Sequence, residues 1–295
     1  MLAAPLALIS YGQAVILGLL QGFSELFPIS SLGHSVILPR LLGWNIHQND
    51  PFFITFLVAT HLATAIVLFC FFFSDWMRIL RGLGRSLRDR QIGDDTDARL
   101  GWLLVVGTIP AGMLGLLLEH ALRHLFASPR SAALFLILNG LLLYGAERLR
   151  RRAPVVDRAA DAQGGDARIA KSLAWREALG VGAAQAFALI PGFSRSGATM
   201  GGGLLVGLSN EDAARFAFLL ATPIIGAAAA LKLPDLFGTS GNGIRGPALV
   251  GAICSALTAY LAVRFLMRFF ETNRLTPFAL YCLAAGIAAS LYFAL

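Results

Sequence analysis

Charge is scarce in this chain. Only 14% of its 295 residues are Asp, Glu, Lys or Arg, whereas a soluble domain carries about 25%. Hydrophobic residues make up 57% of the chain, and the mean hydropathy is +0.69. This balance excludes an ordinary soluble protein and indicates one that lies in a membrane.

Cysteines and common site signatures are also scarce. Cys70, Cys254 and Cys282 each lie alone in an apolar run, without CxxC spacing, which argues against a disulfide framework and against a cysteine metal site. The phosphate-binding pattern GxxxxGK[ST] is absent. No basic segment precedes the first apolar run, so we expect no cleaved signal peptide.

Six apolar runs approach the ~20 residues that are needed to cross a bilayer. The predicted transmembrane helices are Pro51–Phe73, Leu100–Glu119, Ser131–Arg148, Ala213–Leu231, Pro247–Met267 and Leu275–Leu295. Two weaker apolar segments remain, and each is interrupted by Pro, Gly and Ser. We therefore predict an all-α integral membrane protein with six transmembrane helices and two further broken segments.

Each broken segment has the length of a re-entrant hairpin, in which a helix enters the membrane, breaks and returns to the same side. The first consists of residues 8–27 and Ser30–Leu42, and the second of Trp175–Ile190 and Pro191–Gly203. Non-helical backbone at membrane depth is tolerated only where protein or a water-filled cavity satisfies it. The breaks are therefore candidate sites.

The two halves of the chain follow the same order of segments, which indicates an internal repeat within one membrane domain. The first repeat is predicted at about residues 8–149, a mobile basic cytoplasmic linker at about 150–171, and the second repeat at about 172–295. Gln21 precedes Pro28 in the first half, as Gln185 precedes Pro191 in the second. Broken segments in corresponding positions are typical of a binding site at a repeat interface.

The basic residues indicate the orientation of the chain. Segments 75–99, 148–176 and 264–274 contain six, eight and three Arg or Lys residues, whereas the alternate loops contain one, two and two. The first set is therefore predicted to be cytoplasmic. The second repeat is then inverted relative to the first, so the two breaks can meet inside the membrane. This distribution also explains the net charge of +7 without a nucleic-acid partner.

The first break carries several polar side chains. Gln21 and Glu25 are four residues apart and share one face of a helix. On insertion scales an acidic residue (Asp) at the bilayer centre costs about 2.5 to 3.5 kcal/mol, so an intramembrane carboxylate indicates function by default. Ser31 and His34 are three residues apart, which predicts that the imidazole contacts and activates the hydroxyl. We interpret His61, alone in the next predicted helix, as a structural histidine.

The second break contributes a cation. Arg195 lies between Ser194 and Ser196, four residues before Thr199, at the start of a short predicted helix. Guanidinium donors, hydroxyl groups and exposed backbone N–H groups together favour an anion, and phosphate fits this set best. The alternative is that Arg195 pairs with Glu25 for structure only.

Both motifs resemble those of the bacterial undecaprenyl-pyrophosphate phosphatases of the bacitracin-resistance type. That family carries an (E/Q)xxxE motif that leads into PxSSxGH, and a second motif, PGxSRSxxT. Residues 21–25 and 28–34 match the first pair of patterns, and residues 191–199 match the second motif. The length, the span pattern and the inverted repeat extend the resemblance over nearly the whole chain.

The resemblance implies an enzyme that hydrolyses undecaprenyl pyrophosphate to the monophosphate and inorganic phosphate. This reaction recycles the carrier lipid for peptidoglycan and other envelope glycans and gives bacitracin resistance. The resemblance also implies a multi-pass protein of the bacterial cytoplasmic (inner) membrane, and we expect its site to open to the outer, periplasmic face. The catalytic residues that it implies are Glu25, Ser31, His34 and Arg195. The residues that it places around the substrate are Gln21, Ser30, Ser194, Ser196 and Thr199.

Several alternatives stay open at this point. The attacking group is Ser31, His34 or water, and a divalent cation, Mg²⁺ or Ca²⁺, is compatible with Glu25 and a diphosphate. A lipid-phosphate transporter or flippase is the alternative function, because inverted repeats with broken helices also build transporters. A carrier, however, needs the anion site without a nucleophile and base beside it. The expected partners are the polyprenyl pyrophosphate and membrane lipids; a homodimer is compatible with the sequence, which leaves the oligomeric state open.

Overall fold

The computed structural model describes residues 9–46, 50–122, 128–152 and 164–294. Within these ranges the chain forms helices and connecting turns, with no β-strand. The helices of the first half are α1 Tyr11–Leu26, α2 Ser31–Leu41, α3 Pro51–Phe71, α4 Phe73–Asp89, α5 Thr96–Leu122 and α6 Pro129–Arg152. Those that follow are α7 Gly165–Ser172, α8 Trp175–Ala184, α9 Arg195–Leu205, α10 Asn210–Lys232, α11 Pro234–Phe237, α12 Arg245–Thr272 and α13 Thr276–Ala294. Short 3₁₀ turns lie at Gln185–Leu189 and Thr239–Gly241.

Six helices in the described part of the chain are long and apolar enough to cross a membrane. They are α3, α5, α6, α10 with α11, α12 and α13, and they correspond one to one to the predicted spans. The prediction of an all-α, multi-pass membrane protein is therefore confirmed. The observed helices differ from the predicted segments at their ends. α5, α6, α10 and α12 extend into polar residues beyond the apolar run, whereas α3 ends two residues earlier than predicted.

The broken segments form helices that are too short to span. α1 has 16 residues and α2 has 11, which correspond to about 24 and 17 Å at the rise of an α-helix, against a hydrocarbon core of about 30 Å. α8 and α9, at 10 and 11 residues, are shorter still. A re-entrant path through the membrane stays a prediction.

Corresponding residues of the two broken segments have a constant spacing. Gly18 and Gly182, Gln21 and Gln185, Ser30 and Ser194, and Gly33 and Gly197 are each separated by 164 positions. The packing also corresponds, because α1 lies against α12 while α8 lies against α5, and each broken segment contacts the span that follows it in its own half. This correspondence supports the predicted internal repeat.

Glycines allow the closest approach of helices in both halves. A Cβ atom built on Gly18 would lie 2.3 Å from the carbonyl oxygen of Gly251, and one on Gly182 would lie 2.0 Å from that of Gly107. These distances are far below van der Waals contact, so the backbones touch only because no side chain intervenes. Small residues at helix crossings are the usual means by which membrane helices pack closely.

Helix α4 was not predicted from the sequence. The basic residues indicate a loop at residues 75–99, whereas α4 occupies Phe73–Asp89. Trp76 and Ile79 are buried on one side of α4, and the exposed positions include Arg81 and Arg85. The signal was present, because apolar residues recur at helical spacing among the arginines.

The basic linker also requires a correction. Residues 150–152 end α6, and 165–172 form α7, while 153–163 lie outside the described residues. The last part of the predicted linker at 150–171 is therefore helical. A short amphipathic helix there buries Ile169 and Ala170.

Ion pairs hold α7 against its neighbours. Asp166 accepts hydrogen bonds from Arg78 of α4 at 2.6 Å and from Arg215 of α10 at 2.6 Å. Arg168 donates to Asp212 of α10 at 2.8 Å, and this hydrogen bond raises the pKa of Arg168 above its ordinary value. These contacts attach α7, which lies between the two halves in the sequence, to α4 of the first half and to α10 of the second half.

Candidate active site

The first break is shaped by a strained serine. α1 ends at Leu26, and α2 begins at Ser31. Between them Ser30 adopts a positive φ of 71°, which is uncommon for a residue other than glycine and recurs at functional sites. The Ser30 hydroxyl caps α2 by accepting a hydrogen bond from the Gly33 amide at 3.2 Å. The break thus directs the first turn of α2 back toward α1.

The second break is shaped by a glycine. Gly192 has a φ of 101°, and a Cβ atom there would lie 2.4 Å from the carbonyl oxygen of Ala132 in α6. Both the backbone conformation and the space therefore require glycine. The Ser194 hydroxyl accepts a hydrogen bond from the Gly197 amide at 3.1 Å and caps α9, which begins at Arg195. The two breaks thus use the same serine cap at equivalent positions.

An asparagine of α6 joins the two breaks. The side-chain amide of Asn139 donates to the carbonyl oxygen of Pro28 at 3.0 Å, and its Oδ1 accepts from the backbone amide of Ser194 at 3.1 Å. The Ser196 hydroxyl adds a second link by donating to the carbonyl oxygen of Phe27 at 3.2 Å. Asn139 is fully buried. Sequence reasoning missed it, although a lone Asn within an apolar span was a usable signal.

Glu25 is the centre of the site. Its Oε1 accepts a hydrogen bond from Nη2 of Arg195, which confirms that the two motifs meet. Its Oε2 accepts from the Ser31 hydroxyl at 2.5 Å and from the Gln21 amide at 2.8 Å. Nε2 of His61 lies 3.3 Å from the same oxygen. The side chain of Glu25 is 6% exposed and that of Arg195 is 16% exposed, so the ion pair is largely shielded from solvent.

The contact of His61 corrects an interpretation made from the sequence. Its position in the middle of an apolar helix suggested a structural histidine, whereas the structure places its ring against the central carboxylate. The residue lies 36 positions after Glu25 on a different helix. No local pattern links the two, so only tertiary packing reveals the contact.

The expected contact between His34 and Ser31 is absent from the described structure. Nδ1 of His34 donates to the carbonyl oxygen of Ser30 at 2.7 Å, and Nε2 lies 2.8 Å from the hydroxyl of Tyr281 in α13. A neutral imidazole carries one hydrogen, which Nδ1 donates here, so Nε2 accepts from the tyrosine hydroxyl. Ser31 instead faces Glu25. The prediction that His34 activates Ser31 is therefore wrong for this arrangement, because both ring nitrogens of His34 are occupied by other partners.

The remaining predicted substrate-binding residues support the backbone of the breaks. The Ser194 and Ser196 hydroxyls are 3.0 Å apart, and the Thr199 hydroxyl donates to the carbonyl oxygen of Arg195 at 2.8 Å. With Ser30, they are all buried. They therefore lie beside the Glu25 cluster, and in this structure their hydrogen bonds go to the protein.

Two glutamine amides retain unused hydrogen-bonding atoms. Within the described residues, Oε1 of Gln21 and both amide atoms of Gln185 are buried without a hydrogen-bond partner. Buried amides are normally satisfied by protein or ordered water. These equivalent glutamines of the two halves therefore mark polar space near the breaks.

Both carboxylate oxygens of Glu25 accept hydrogen bonds in this arrangement. A carboxylate offers about four lone-pair positions, and four side-chain donors surround Glu25. Among the residues that the structure describes, no group of three or more His, Cys, Asp or Glu side chains is placed to hold a metal ion. The carboxylate of Glu25 therefore gives no support to the predicted divalent cation.

Comparison with known proteins agrees with the motifs. The family model described as "Bacitracin resistance protein BacA" matches residues 14–288. A relative from Mycolicibacterium paratuberculosis named undecaprenyl-diphosphatase is 51% identical, and the alignment covers 97% of this chain and 98% of the relative. Relatives named undecaprenyl-diphosphatase 2 from Frankia alni and Burkholderia ambifaria are 45% and 44% identical, with coverage of 97% and 92% of this chain and 99% and 93% of each relative. Matches of this extent and identity establish that the chain belongs to the bacitracin resistance protein BacA family.

Proposed function

We propose that this protein hydrolyses undecaprenyl pyrophosphate to undecaprenyl phosphate and inorganic phosphate. The observation that carries the proposal is the hydrogen bond from the Ser31 hydroxyl to Glu25, at the point where Arg195 arrives from the second motif. A hydroxyl, a base and a guanidinium at one place are what phosphoryl transfer requires of a protein. The names of the relatives agree with this chemistry.

In the proposed reaction Ser31 is the nucleophile and Glu25 is its base. Oγ of Ser31 attacks the terminal phosphorus while its proton passes to Oε2 of Glu25, and the bond to the bridging oxygen breaks to release the lipid monophosphate. Glu25 passes this proton to the departing lipid phosphate. Water then attacks the phosphoserine and loses a proton to Glu25, which gives it to Oγ of Ser31 as inorganic phosphate is released. The hydrogen bond from Ser31 to Glu25 supports this assignment over one in which His34 is the base.

Arg195 supplies the cation for the diphosphate. Nη2 is held by Glu25, and within the described residues its other guanidinium nitrogens make no hydrogen bond. They can therefore bind phosphate oxygens, and the charge that develops on these oxygens in the transition state is stabilised in a site of low dielectric. Backbone N–H groups at the start of α9 add donors of the kind that bind anions.

The membrane placement of the site is part of the same proposal. The two pairs of short helices, α1 with α2 and α8 with α9, re-enter the membrane of a bacterial cell from opposite sides, and the site opens to the outer face. The distribution of basic residues supports this orientation. The polyprenyl chain would lie along lipid-facing apolar side chains, such as the exposed Phe23 beside the first break.

Transport of lipid phosphate is not supported as an alternative. The relatives are named for a diphosphatase activity, and a carrier would not need the base-to-hydroxyl contact between Glu25 and Ser31. A requirement for Mg²⁺ or Ca²⁺ and the formation of a homodimer stay predictions. Assays with EDTA and with added cations, and mass measurement in detergent, test them.

The deciding experiment is phosphate release by purified protein in detergent with undecaprenyl pyrophosphate as substrate. Ser31→Ala should lower kcat by ~10³-fold or more, because loss of a nucleophile removes the reaction path. Ser35→Ala is the matched control, since Ser35 is also buried in α2 but its hydroxyl has no partner in the described part of the chain. Substrate labelled with ³²P in the terminal phosphate should label wild-type protein after an acid quench, but not Ser31→Ala. Turnover by Ser31→Ala at the wild-type rate would refute Ser31 as the nucleophile, and no phosphate release by wild type would refute the function.

A further inference from the structure

His61 is the donor to Glu25 that lies outside both motifs. Four side chains contact the carboxylate within the described residues. Gln21 and Ser31 belong to the first motif, and Arg195 belongs to the second. His61 lies in α3, a transmembrane helix that carries neither motif.

The orientation of the His61 ring is fixed by a second contact. Nδ1 lies 2.7 Å from the carbonyl oxygen of Leu57, one turn earlier in α3. A carbonyl oxygen only accepts hydrogen bonds, so Nδ1 carries a hydrogen. The ring is therefore held with Nε2 directed at Oε2 of Glu25, 3.3 Å away. A carboxylate oxygen also only accepts, so Nε2 carries a hydrogen as well, and in this contact the His61 ring is the imidazolium cation.

The proposed reaction changes two of the four contacts of Glu25. Ser31 transfers its proton to the carboxylate, and Arg195 shares its donors with the phosphate. Gln21 and His61 are then the contacts that remain. Gln21 lies on the same helix as Glu25 and moves with it, whereas His61 is fixed to a separate span. His61 is therefore the contact that holds the carboxylate relative to the rest of the site.

We propose that His61 is a positioning residue for the phosphatase reaction, which donates a hydrogen bond from α3 to Oε2 of Glu25 and keeps that oxygen directed at Ser31. This inference rests on the proposed function. Since His61 acts through Glu25, its loss should reduce the rate of the chemical step more than the binding of the lipid. Misplacement of a catalytic group by about 1 Å can cost ~10²-fold in rate.

The test compares two replacements of His61 in the phosphate-release assay. His61→Leu removes the donor, and we expect kcat to fall by ~10²-fold with KM within about threefold of wild type. His61→Gln supplies an amide donor of similar reach, and we expect it to restore kcat to within about tenfold of wild type. Thr64→Val is the matched control, because Thr64 is buried one turn further along α3 and donates only to the carbonyl oxygen of its own helix at His61. It should keep wild-type kcat.

Each outcome decides the proposal. Wild-type kcat in His61→Leu would overturn it, and so would a His61→Gln variant that is as slow as His61→Leu. A change confined to KM would assign His61 to substrate binding and would also overturn it. If His61→Leu does not fold, as judged by size-exclusion chromatography in detergent, His61→Asn replaces it. The Asn amide is too short to reach Glu25, so this variant should be as slow as predicted for Leu, and wild-type kcat in it would refute the proposal.

A second measurement separates positioning from a general loss of stability. In a Glu25→Gln background His61 has no carboxylate to position, so adding His61→Leu should lower the residual kcat by less than about threefold. An additional ~10²-fold loss in the double variant would contradict the proposal. The wild-type protein separates the two possible failures. If the proposed function is wrong, wild type releases no phosphate; if only this inference is wrong, wild type releases phosphate and His61→Leu does so at the same rate.

Discussion

The buried ion pair between Glu25 and Arg195 makes a strong prediction about Arg195→Ala. Glu25 and Arg195 come from different halves of the chain, and their side chains are only 6% and 16% exposed. Removing one partner of a buried pair leaves an uncompensated charge and costs about 3 to 5 kcal/mol. We therefore expect Arg195→Ala to lower the free energy of unfolding by this order.

The same substitution should reduce turnover. An arginine that stabilises the charge on transferring phosphate contributes ~10³-fold or more to the rate. Arg195→Lys should recover part of the stability, because it keeps the charge, but less of the rate, because an ammonium lacks the planar fork that binds phosphate. Thermal unfolding in detergent and phosphate release measure the two effects on the same preparations.

Arg88→Ala is a suitable control. Arg88 pairs with Asp89 on the surface of α4, where their side chains are 77% and 45% exposed, so solvent screens the pair. We expect no measurable change in unfolding or in turnover. Arg195→Ala with wild-type unfolding and wild-type phosphate release would refute both the buried pair and the anion site.

The double variant Glu25→Gln, Arg195→Ala sharpens the stability argument. Each single substitution leaves a polar partner buried without its counterpart, whereas the double variant removes both charges. The loss of stability in the double variant should therefore be smaller than the sum of the two single losses. Losses that simply add would show that the two side chains do not interact.

Two further predictions concern other parts of the structure. Gly182→Ala should lower the thermal stability markedly, because the new Cβ atom would lie 2.0 Å from the carbonyl oxygen of Gly107. Gly180→Ala on the same helix is the control: its Cβ atom meets nothing within 4 Å, so the stability should not change. Equal melting temperatures for the two variants would contradict the close crossing of α5 and α8. Tyr281→Phe removes the hydroxyl that lies 2.8 Å from Nε2 of His34. We expect kcat to fall by about tenfold, because the imidazole beside the first break loses a contact that orients it, while an unchanged kcat would show that turnover does not need this hydrogen bond.

Much of the fold follows from composition along the chain. A bilayer requires runs of about 20 apolar residues with satisfied backbones, so the six spans could be predicted from the sequence and are confirmed. Pro28 and Gly192 mark the two breaks, because proline has no backbone N–H to donate and the positive φ of Gly192 cannot continue a helix. The charge pattern did not predict α4, because its arginines indicate a loop. Only the helical spacing of the apolar residues between them indicates a helix.

The site could be predicted only in part, for a physical reason. Inversion of the second half relative to the first, together with the polar residues of both motifs, predicted that Arg195 reaches the first motif. The structure confirms its contact with Glu25. Sequence spacing failed for Ser31 and His34, because each side chain meets another partner: Glu25 of α1 for Ser31, and the Ser30 carbonyl oxygen and Tyr281 of α13 for His34.

Only the tertiary structure identified the supports of the site. Asn139, His61 and Tyr281 lie on three different transmembrane helices, and each reaches a break from far away in the sequence. A local pattern describes what one segment prefers, whereas a contact between spans depends on how the helices cross. The sequence by itself therefore determined the spans, the breaks and the kind of chemistry, and the packing decided which side chains hold Glu25 in place.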